Sequence, residues 1–131
     1  MNIIEERENL RSVLSELDER LIDFKELVND AISYDLDYSV KSIKYVELLL
    51  PRIGGSEDDE NLLSDAALYV GETIRRHYQM EWDIYDKEGD KYYGQPYLKN
   101  HENPQKRFFP FVSLSEFFKT SEIGFFLNEI R

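Results

Sequence analysis

The sequence predicts a mainly helical α+β fold, in which several helices pack against a small antiparallel sheet. Apolar residues recur at helical spacing over residues 3–31 and again over residues 63–78. From Met80 onward the period changes to two, as expected for a half-buried strand. The 131 residues are 41% hydrophobic and 14% aromatic, which is enough to fill one core. We therefore expect residues 1–131 to form a single domain.

A long amphipathic helix is predicted for residues 1–33. About 28 helical residues span roughly 42 Å, whereas a compact chain of this length is roughly 36 Å across. Either the first turns project, or the helix breaks. A projecting end would allow a homodimer through the N-terminal helix, and the alternative is a helix that only covers its own core. The apolar positions follow a heptad spacing that Arg7 interrupts: Ile3, Leu10, Leu14, Leu17, Leu21, Phe24, Val28 and Ala31.

A second helix is predicted after the N-cap candidates at Asp35–Ser39. Its apolar side chains continue to Leu50. We expect Pro51 to end it, because proline has no backbone N–H and clashes with the preceding turn.

A third helix is predicted to end near Tyr78. The acidic run over residues 57–60 marks its first turn, since negative charge is favoured at a helix N-terminus. Gly71 lies inside this helix, four residues after Ala67, and a mid-helix glycine costs roughly 1 kcal/mol relative to alanine. We therefore expect another helix to cross closely at these two positions.

The predicted sheet consists of a hairpin at about residues 80–98 and a short strand at about residues 107–112. Turn-forming residues occupy positions 87–90, so the returning strand is expected to run from Lys91 to Leu98. Pro96 is expected to place that strand at an edge or to end it, because proline donates no ladder hydrogen bond.

Two short helices are predicted in the C-terminal region. Ser113 and Glu116 have the spacing of a capping box, which predicts the start of the first, and the second covers residues 122–130. Seven of the eight phenylalanines fall between Phe108 and Phe126. We expect most of them to close the main core and any remainder to form an exposed apolar patch.

Composition limits the classes of partner. The net charge of −11 and the pI near 4.6 argue against nucleic acid and anionic membranes, which are bound largely through lysine and arginine. The absence of cysteine removes disulfides and thiolate chemistry, only two histidines are present, and no cofactor is expected. The N-terminal sequence is acidic and lacks an apolar run, so we predict a cytoplasmic protein with no membrane segment. The negative net charge predicts a basic or neutral protein partner.

The negative charge is concentrated in the N-terminal half. Residues 1–60 carry 16 acids and 7 bases, whereas residues 61–131 carry 11 acids and 9 bases. These acids are candidates for binding a basic partner, and the alternative is a solvated surface that only keeps the protein soluble. The candidate acidic surface consists of Glu5, Glu6, Glu8, Glu16, Asp18, Glu19, Glu57, Asp58, Asp59 and Glu60.

A second candidate site is a cationic and aromatic corner at the end of the third helix. Glu72 precedes two arginines at the spacing of intrahelical ion pairs, which predicts structural pairs on the helix surface. The alternative is an arginine cluster that holds a carboxylate or phosphate beside aromatic rings. The candidate residues are Glu72, Arg75, Arg76 and Trp82, with Tyr92 and Tyr93 opposite.

Several of these segments together resemble a group of small uncharacterised bacterial proteins. The resembling parts are LDYSVKSIKYVELLL at residues 36–50, AALYVGETIRR at residues 66–76, the strand at Trp82, and the Asn103-Pro104 turn. In that group a helix of the type DYS-x-x-S precedes a Y-x-GE-x-x-RR helix and a tryptophan-bearing hairpin. The resemblance implies no established activity, and some such proteins look like immunity or accessory proteins of bacterial toxin systems.

These features favour a non-catalytic interaction protein that neutralises a basic partner, as an immunity protein or inhibitor does. The alternative is a small-ligand or peptide-binding module at the arginine corner. A hydrolase or metalloenzyme is less favoured. The carboxylate pairs Asp35 with Asp37 and Asp83 with Asp86 suit a hard cation or acid–base chemistry, but a chain with 27 acids contains such pairs by chance.

Overall fold

The computed structural model describes residues 2–53 and 60–120. These residues form five helices and a three-stranded antiparallel sheet, which confirms the predicted mainly helical α+β fold. In chain order the elements are α1 (Ile3–Ser15), α2 (Leu17–Ile32), α3 (Val40–Ile53), α4 (Glu60–Tyr78), β1 (Glu81–Ile84), β2 (Pro96–Lys99), β3 (Arg107–Phe108) and α5 (Pro110–Thr120).

The N-terminal amphipathic segment forms two helices rather than one. Glu16 leaves the helical conformation, with φ −103° and ψ 4°, and separates α1 from α2. Of the two alternatives for this segment, the helix therefore breaks. The break allows both helices to remain on the core, where Leu10 and Leu17 are buried on either side of it. Ala31, predicted to lie on the apolar seam, is exposed.

The interruption of the apolar seam at Arg7 has a structural reason. Arg7 Nε donates to Asp83 Oδ1 at 3.0 Å, and its Nη2 donates to Asp86 Oδ2 at 2.9 Å. Asp83 lies in β1 and Asp86 follows that strand. These bonds anchor α1 to the sheet, although Ile4 on its outer side is 69% exposed.

The second predicted helix is longer than expected, because Pro51 lies inside α3 instead of ending it. Within the described part of α3 only two residues follow this proline, so the hydrogen bond that proline cannot donate is lost near the end of that part, at small cost to the rest. The start of α3 agrees with the predicted N-cap region, since Ser39 Oγ accepts from the backbone N–H of Ser42 at 3.2 Å. The glycines and acids after α3 lie outside the described residues, apart from the backbone of Glu60.

The sheet has the order β1-β2-β3, with antiparallel pairing throughout. The prediction of a strand over residues 91–98 was wrong at its start, because turns occupy residues 91–94 and β2 begins only at Pro96. The connection is closed by two bonds of Tyr85, whose N–H donates to Gln95 O and whose carbonyl accepts from Gly94 N–H. Pro96 is tolerated in this central strand because it is the first residue.

The third strand and the following helix also differ from the prediction. β3 covers two residues rather than the segment 107–112, and α5 starts at Pro110. Ser113, the predicted cap, lies within the helix and donates its N–H to Phe109 O at 2.9 Å. Proline at the first helical position explains the earlier start, since its fixed φ suits a helix and its missing N–H is not needed there. The helix predicted at residues 122–130 lies outside the described residues.

α4 runs through the centre of the core. Its residues Ala66, Ala67, Leu68, Tyr69, Val70 and Ile74 are fully buried, and α2, α3 and α5 pack around it. The close neighbour predicted at Gly71 exists, but it is chiefly the ring of Trp82 from β1, together with Pro110 of α5. Phe108 and Phe117 belong to the buried core and Phe111 packs against it. The side chains of Phe118, Phe125 and Phe126 lie outside the described residues, so for them the core placement stays a prediction.

Candidate functional site

Glu72 is a buried carboxylate rather than an acid on the helix surface. The residue is 4% exposed. Its two oxygens accept from Arg75 at 2.6 and 2.9 Å, and one of them accepts from Arg76 Nε at 3.3 Å. The indole Nε1 of Trp82 donates to the same carboxylate at 3.4 Å. The predicted intrahelical pairs therefore form, and Trp82 joins them.

The surroundings of Glu72 keep it ionised. Burial raises the pKa of Glu72, but hydrogen bonds and charge from Arg75, with smaller contributions from Trp82 and Arg76, outweigh burial and hold the pKa below its ordinary value. The hydrogen bond to Glu72 in turn raises the pKa of Arg75. An external anion at this corner would have to compete with Glu72 for both arginines. The geometry therefore favours the structural interpretation of the corner.

Two tyrosines that the sequence had not singled out complete this arrangement. Tyr38 has φ 60°, an uncommon left-handed conformation for a bulky residue. Its ring lies 3.7 Å from the Arg76 guanidinium and stacks on Tyr69 with ring centroids 5.1 Å apart. The Tyr69 hydroxyl accepts from the backbone N–H of Tyr38 at 2.9 Å and lies 2.7 Å from Ser42 Oγ. These contacts hold the unusual backbone in place.

We call these residues the Glu72 cluster: Tyr38, Tyr69, Glu72, Arg75, Arg76 and Trp82. The patterns DYS-x-x-S and Y-x-GE-x-x-RR contain both tyrosines, and they were the signal that could have identified them. In space the two patterns meet, since the first supplies Tyr38 and Ser42 and the second supplies Tyr69. The cluster therefore joins the start of α3, the middle of α4 and β1.

Tyr92 and Tyr93 do not lie at the Glu72 cluster. Among the described residues, neither makes a hydrogen bond, ion pair or ring contact with it. Tyr92 instead contacts Phe109, with centroids 4.7 Å apart. Phe109 also stacks on Tyr97 at 5.2 Å and meets the edge of Tyr85 at 5.3 Å. The tyrosines of the hairpin and Phe109, which follows β3, thus form a second aromatic cluster.

An open groove lies beside this second cluster. Its walls are the hairpin loop at Lys91 and Tyr92, the region of β3 at Arg107, and the face of α5 at Ser113 and Glu116. We call it the Lys91–Arg107 groove. The sequence had not indicated it, and its only signal was the three tyrosines over residues 92–97, next to Lys91.

The predicted acidic surface is partly described. Glu5, Glu8, Glu16, Asp18 and Glu19 are exposed on α1 and α2, and Glu6 is partly exposed. The predicted acids Glu57, Asp58 and Asp59 lie outside the described residues, as does the side chain of Glu60. Asp23, Glu26 and Asp30 are further exposed acids on α2 that the prediction did not include. We call the exposed acids of α1 and α2 the acidic face.

The carboxylate pairs considered for a cation are bound within the protein. Asp83 accepts from Arg7 and, at 2.8 Å, from Lys99 Nζ, while Asp86 accepts from Arg7. Asp35 accepts from Asn29 Nδ2, and Asp37 accepts from the N–H of Ser39. Within residues 2–53 and 60–120, no group of three or more histidines and acids is arranged to hold a metal ion.

The same described residues contain no helix that is long and apolar enough to span a membrane. No protein-family model matches the chain, and neither a characterised protein nor a solved structure shows significant similarity to it. The resemblance to the bacterial group therefore stays a prediction.

Proposed function

We propose that the protein is a non-catalytic interaction protein that binds and neutralises a basic protein through the acidic face. One observation carries this proposal: the bases of α1 and α2 are mostly engaged within the protein, whereas the acids are not. Arg7 pairs with two acids of the hairpin, and Arg20 pairs with Asp65 of α4 at 2.7 Å. Lys25 lies over the Tyr38 ring at 5.1 Å.

The result is a strong local excess of negative charge. Arg11 is the one exposed base among residues 2–32, against eight exposed acids: Glu5, Glu8, Glu16, Asp18, Glu19, Asp23, Glu26 and Asp30. Uncompensated charge of one sign accelerates encounter with a partner of the opposite sign and disfavours partners of the same sign. An inhibitor or immunity protein for a basic toxin needs such a surface, and the resemblance noted for residues 36–50 and 66–76 supports that role.

The proposal is tested by capture of a partner followed by kinetics. Tagged protein is used to isolate partners from a lysate of its native cells at low salt, and mass spectrometry identifies a stoichiometric basic protein. The association rate with that purified partner is then measured between about 20 and 500 mM salt, and we expect it to fall as screening increases.

Matched variants locate the surface. Glu16→Gln/Glu19→Gln removes two charges from the acidic face, and Glu88→Gln/Glu102→Gln removes two exposed charges elsewhere. We expect only the first variant to slow association markedly and to reduce its salt dependence. A salt-independent rate, or an equal effect of both variants, would rule out the acidic face as the binding surface.

A further inference from the structure

We propose that the Lys91–Arg107 groove binds a small organic anion that carries a flat ring, such as an aromatic carboxylate or a nucleoside monophosphate. The groove has a volume of about 510 Å³. Small-molecule sites in proteins usually measure about 300–1,000 Å³. This site is independent of the proposed function, because the acidic face belongs to α1 and α2 and the groove to the hairpin loop, β3 and α5.

The groove lining carries two cations, Lys91 and Arg107, and one carboxylate, Glu116. Five cations elsewhere in the described residues pair with carboxylates: Arg7, Arg20, Arg75, Arg76 and Lys99. Within the described residues, Lys91 and Arg107 form no ion pair. Arg107 Nη1 donates instead to the neutral hydroxyl of Tyr85 at 3.1 Å. A guanidinium has five N–H donors, so Arg107 retains donors for an anion, and the two cations of the groove outnumber its one carboxylate.

The aromatic residues of the groove supply a surface for a ring. Tyr92 is half-buried, and it packs on Phe109, which is 8% exposed. Lys91 Nζ lies 4.8 Å from the centroid of the Tyr92 ring. A flat ligand that packs beside Tyr92 therefore meets the Lys91 ammonium over that ring, and Arg107 on the β3 wall of the groove can bind its anionic group.

The loop that carries Lys91 and Tyr92 is held by its own hydrogen bonds. Asp90 Oδ1 accepts from the N–H of Tyr92 at 2.9 Å. The two backbone bonds of Tyr85, at 2.8 and 2.9 Å, close the loop where it joins the strands. Binding at a preformed site avoids the entropic cost of ordering a loop, so the groove is built to hold a ligand without rearrangement.

The test uses four probes: adenosine 5′-monophosphate, indole-3-carboxylate, adenosine and inorganic phosphate. Titration calorimetry measures affinity, and amide chemical shifts of the wild-type protein locate the site. We expect at least one ring-bearing anion to bind and to shift the signals of Tyr92, Arg107 and Ser113. The affinity for adenosine and for phosphate should be lower by a factor of about ten or more, because each lacks one of the two contacts. The ring-bearing anion that binds more tightly identifies phosphate or carboxylate as the preferred group.

Three results would overturn the proposal. They are no binding of either ring-bearing anion, equal binding of phosphate or adenosine alone, and shifts confined to another surface. Each would show that the groove does not recognise a ring and an anion together.

Variants complete the test. Lys91→Gln and Arg107→Gln should each weaken binding about tenfold, as expected for loss of one charge-assisted contact. Lys87→Gln and Lys106→Gln remove the same charge from exposed positions nearby and should leave the affinity within about twofold. Arg107→Gln also removes the hydrogen bond to Tyr85 and so could alter the local packing. Lys91→Gln avoids this problem, because Lys91 is exposed. Equal losses in all four variants would indicate non-specific attraction and contradict the site.

Discussion

The indole ring of Trp82 occupies the space that a side chain at position 71 would need. A Cβ atom built on Gly71 would lie 2.6 Å from Cζ2 of that ring and 3.0 Å from Cγ of Pro110. Both neighbours are parts of the packed core and cannot turn away easily. The glycine thus permits β1 and α5 to pack directly against the middle of α4.

We expect Gly71→Ala to destabilise the protein by about 1–3 kcal/mol, as overpacking does. The sign of the stability change distinguishes packing from helix propensity, because propensity alone would make the alanine variant more stable by roughly 1 kcal/mol. Urea denaturation measures the effect. Adding Trp82→Phe should recover part of the loss, giving a double change that is less harmful than the sum of the two. A neutral or stabilising Gly71→Ala would show that the close packing is absent.

The buried charge of Glu72 should contribute to the pH dependence of stability. Its folded pKa lies below the unfolded value of about 4.3, so its contribution is present above that pH and is lost as the pH falls through the folded pKa. We expect Glu72→Gln to lose about 1–3 kcal/mol at neutral pH and less in acid. Denaturation at a series of pH values checks this, with exposed Glu8→Gln as the control. If the free energies of unfolding of wild type and Glu72→Gln changed in parallel with pH, the lowered pKa of Glu72 would be contradicted.

The double variant Arg75→Gln/Arg76→Gln separates the two interpretations of the arginine pair. If the pair is structural, Glu72 is left buried without a cation, and the free energy of unfolding should fall by about 3 kcal/mol or more. Exposed Arg11→Gln serves as the control, with an expected change below about 0.5 kcal/mol. A double variant that keeps its stability but loses stabilisation by an added anion would instead establish a binding site there.

Removal of residues 2–12 tests the role of α1. This deletion removes the buried Leu10 and both hydrogen bonds of Arg7, so we expect the free energy of unfolding to fall by roughly 2–4 kcal/mol. Thermal denaturation measures the loss, and sedimentation of the full chain reports whether α1 also supports a homodimer. Unchanged stability of the shortened chain would show that α1 does not belong to the core.

Sequence periodicity predicted the helices and the hairpin because the signal for each is local. Helix and strand boundaries were less accurate, since the same short pattern serves more than one role. Ser113 and Glu116 have capping-box spacing, yet both lie inside a helix that Pro110 begins. The spacing of Glu72 and its arginines predicted their pairing, but it predicted neither the hydrogen bond from Trp82 to Glu72 nor the Tyr38 ring over Arg76, which other segments supply.

The sequence by itself determined the fold class, the ion-pair spacing in α4 and the excess of negative charge, because each depends on neighbouring residues or on a simple total. Only the tertiary structure decided which charges are neutralised. Arg7 and Arg20 find acids in β1 and α4, which leaves the acidic face uncompensated, whereas Arg107 meets a phenol and keeps its charge. The physical reason is that ion pairing requires atoms within about 4 Å, and folding alone brings distant segments that close.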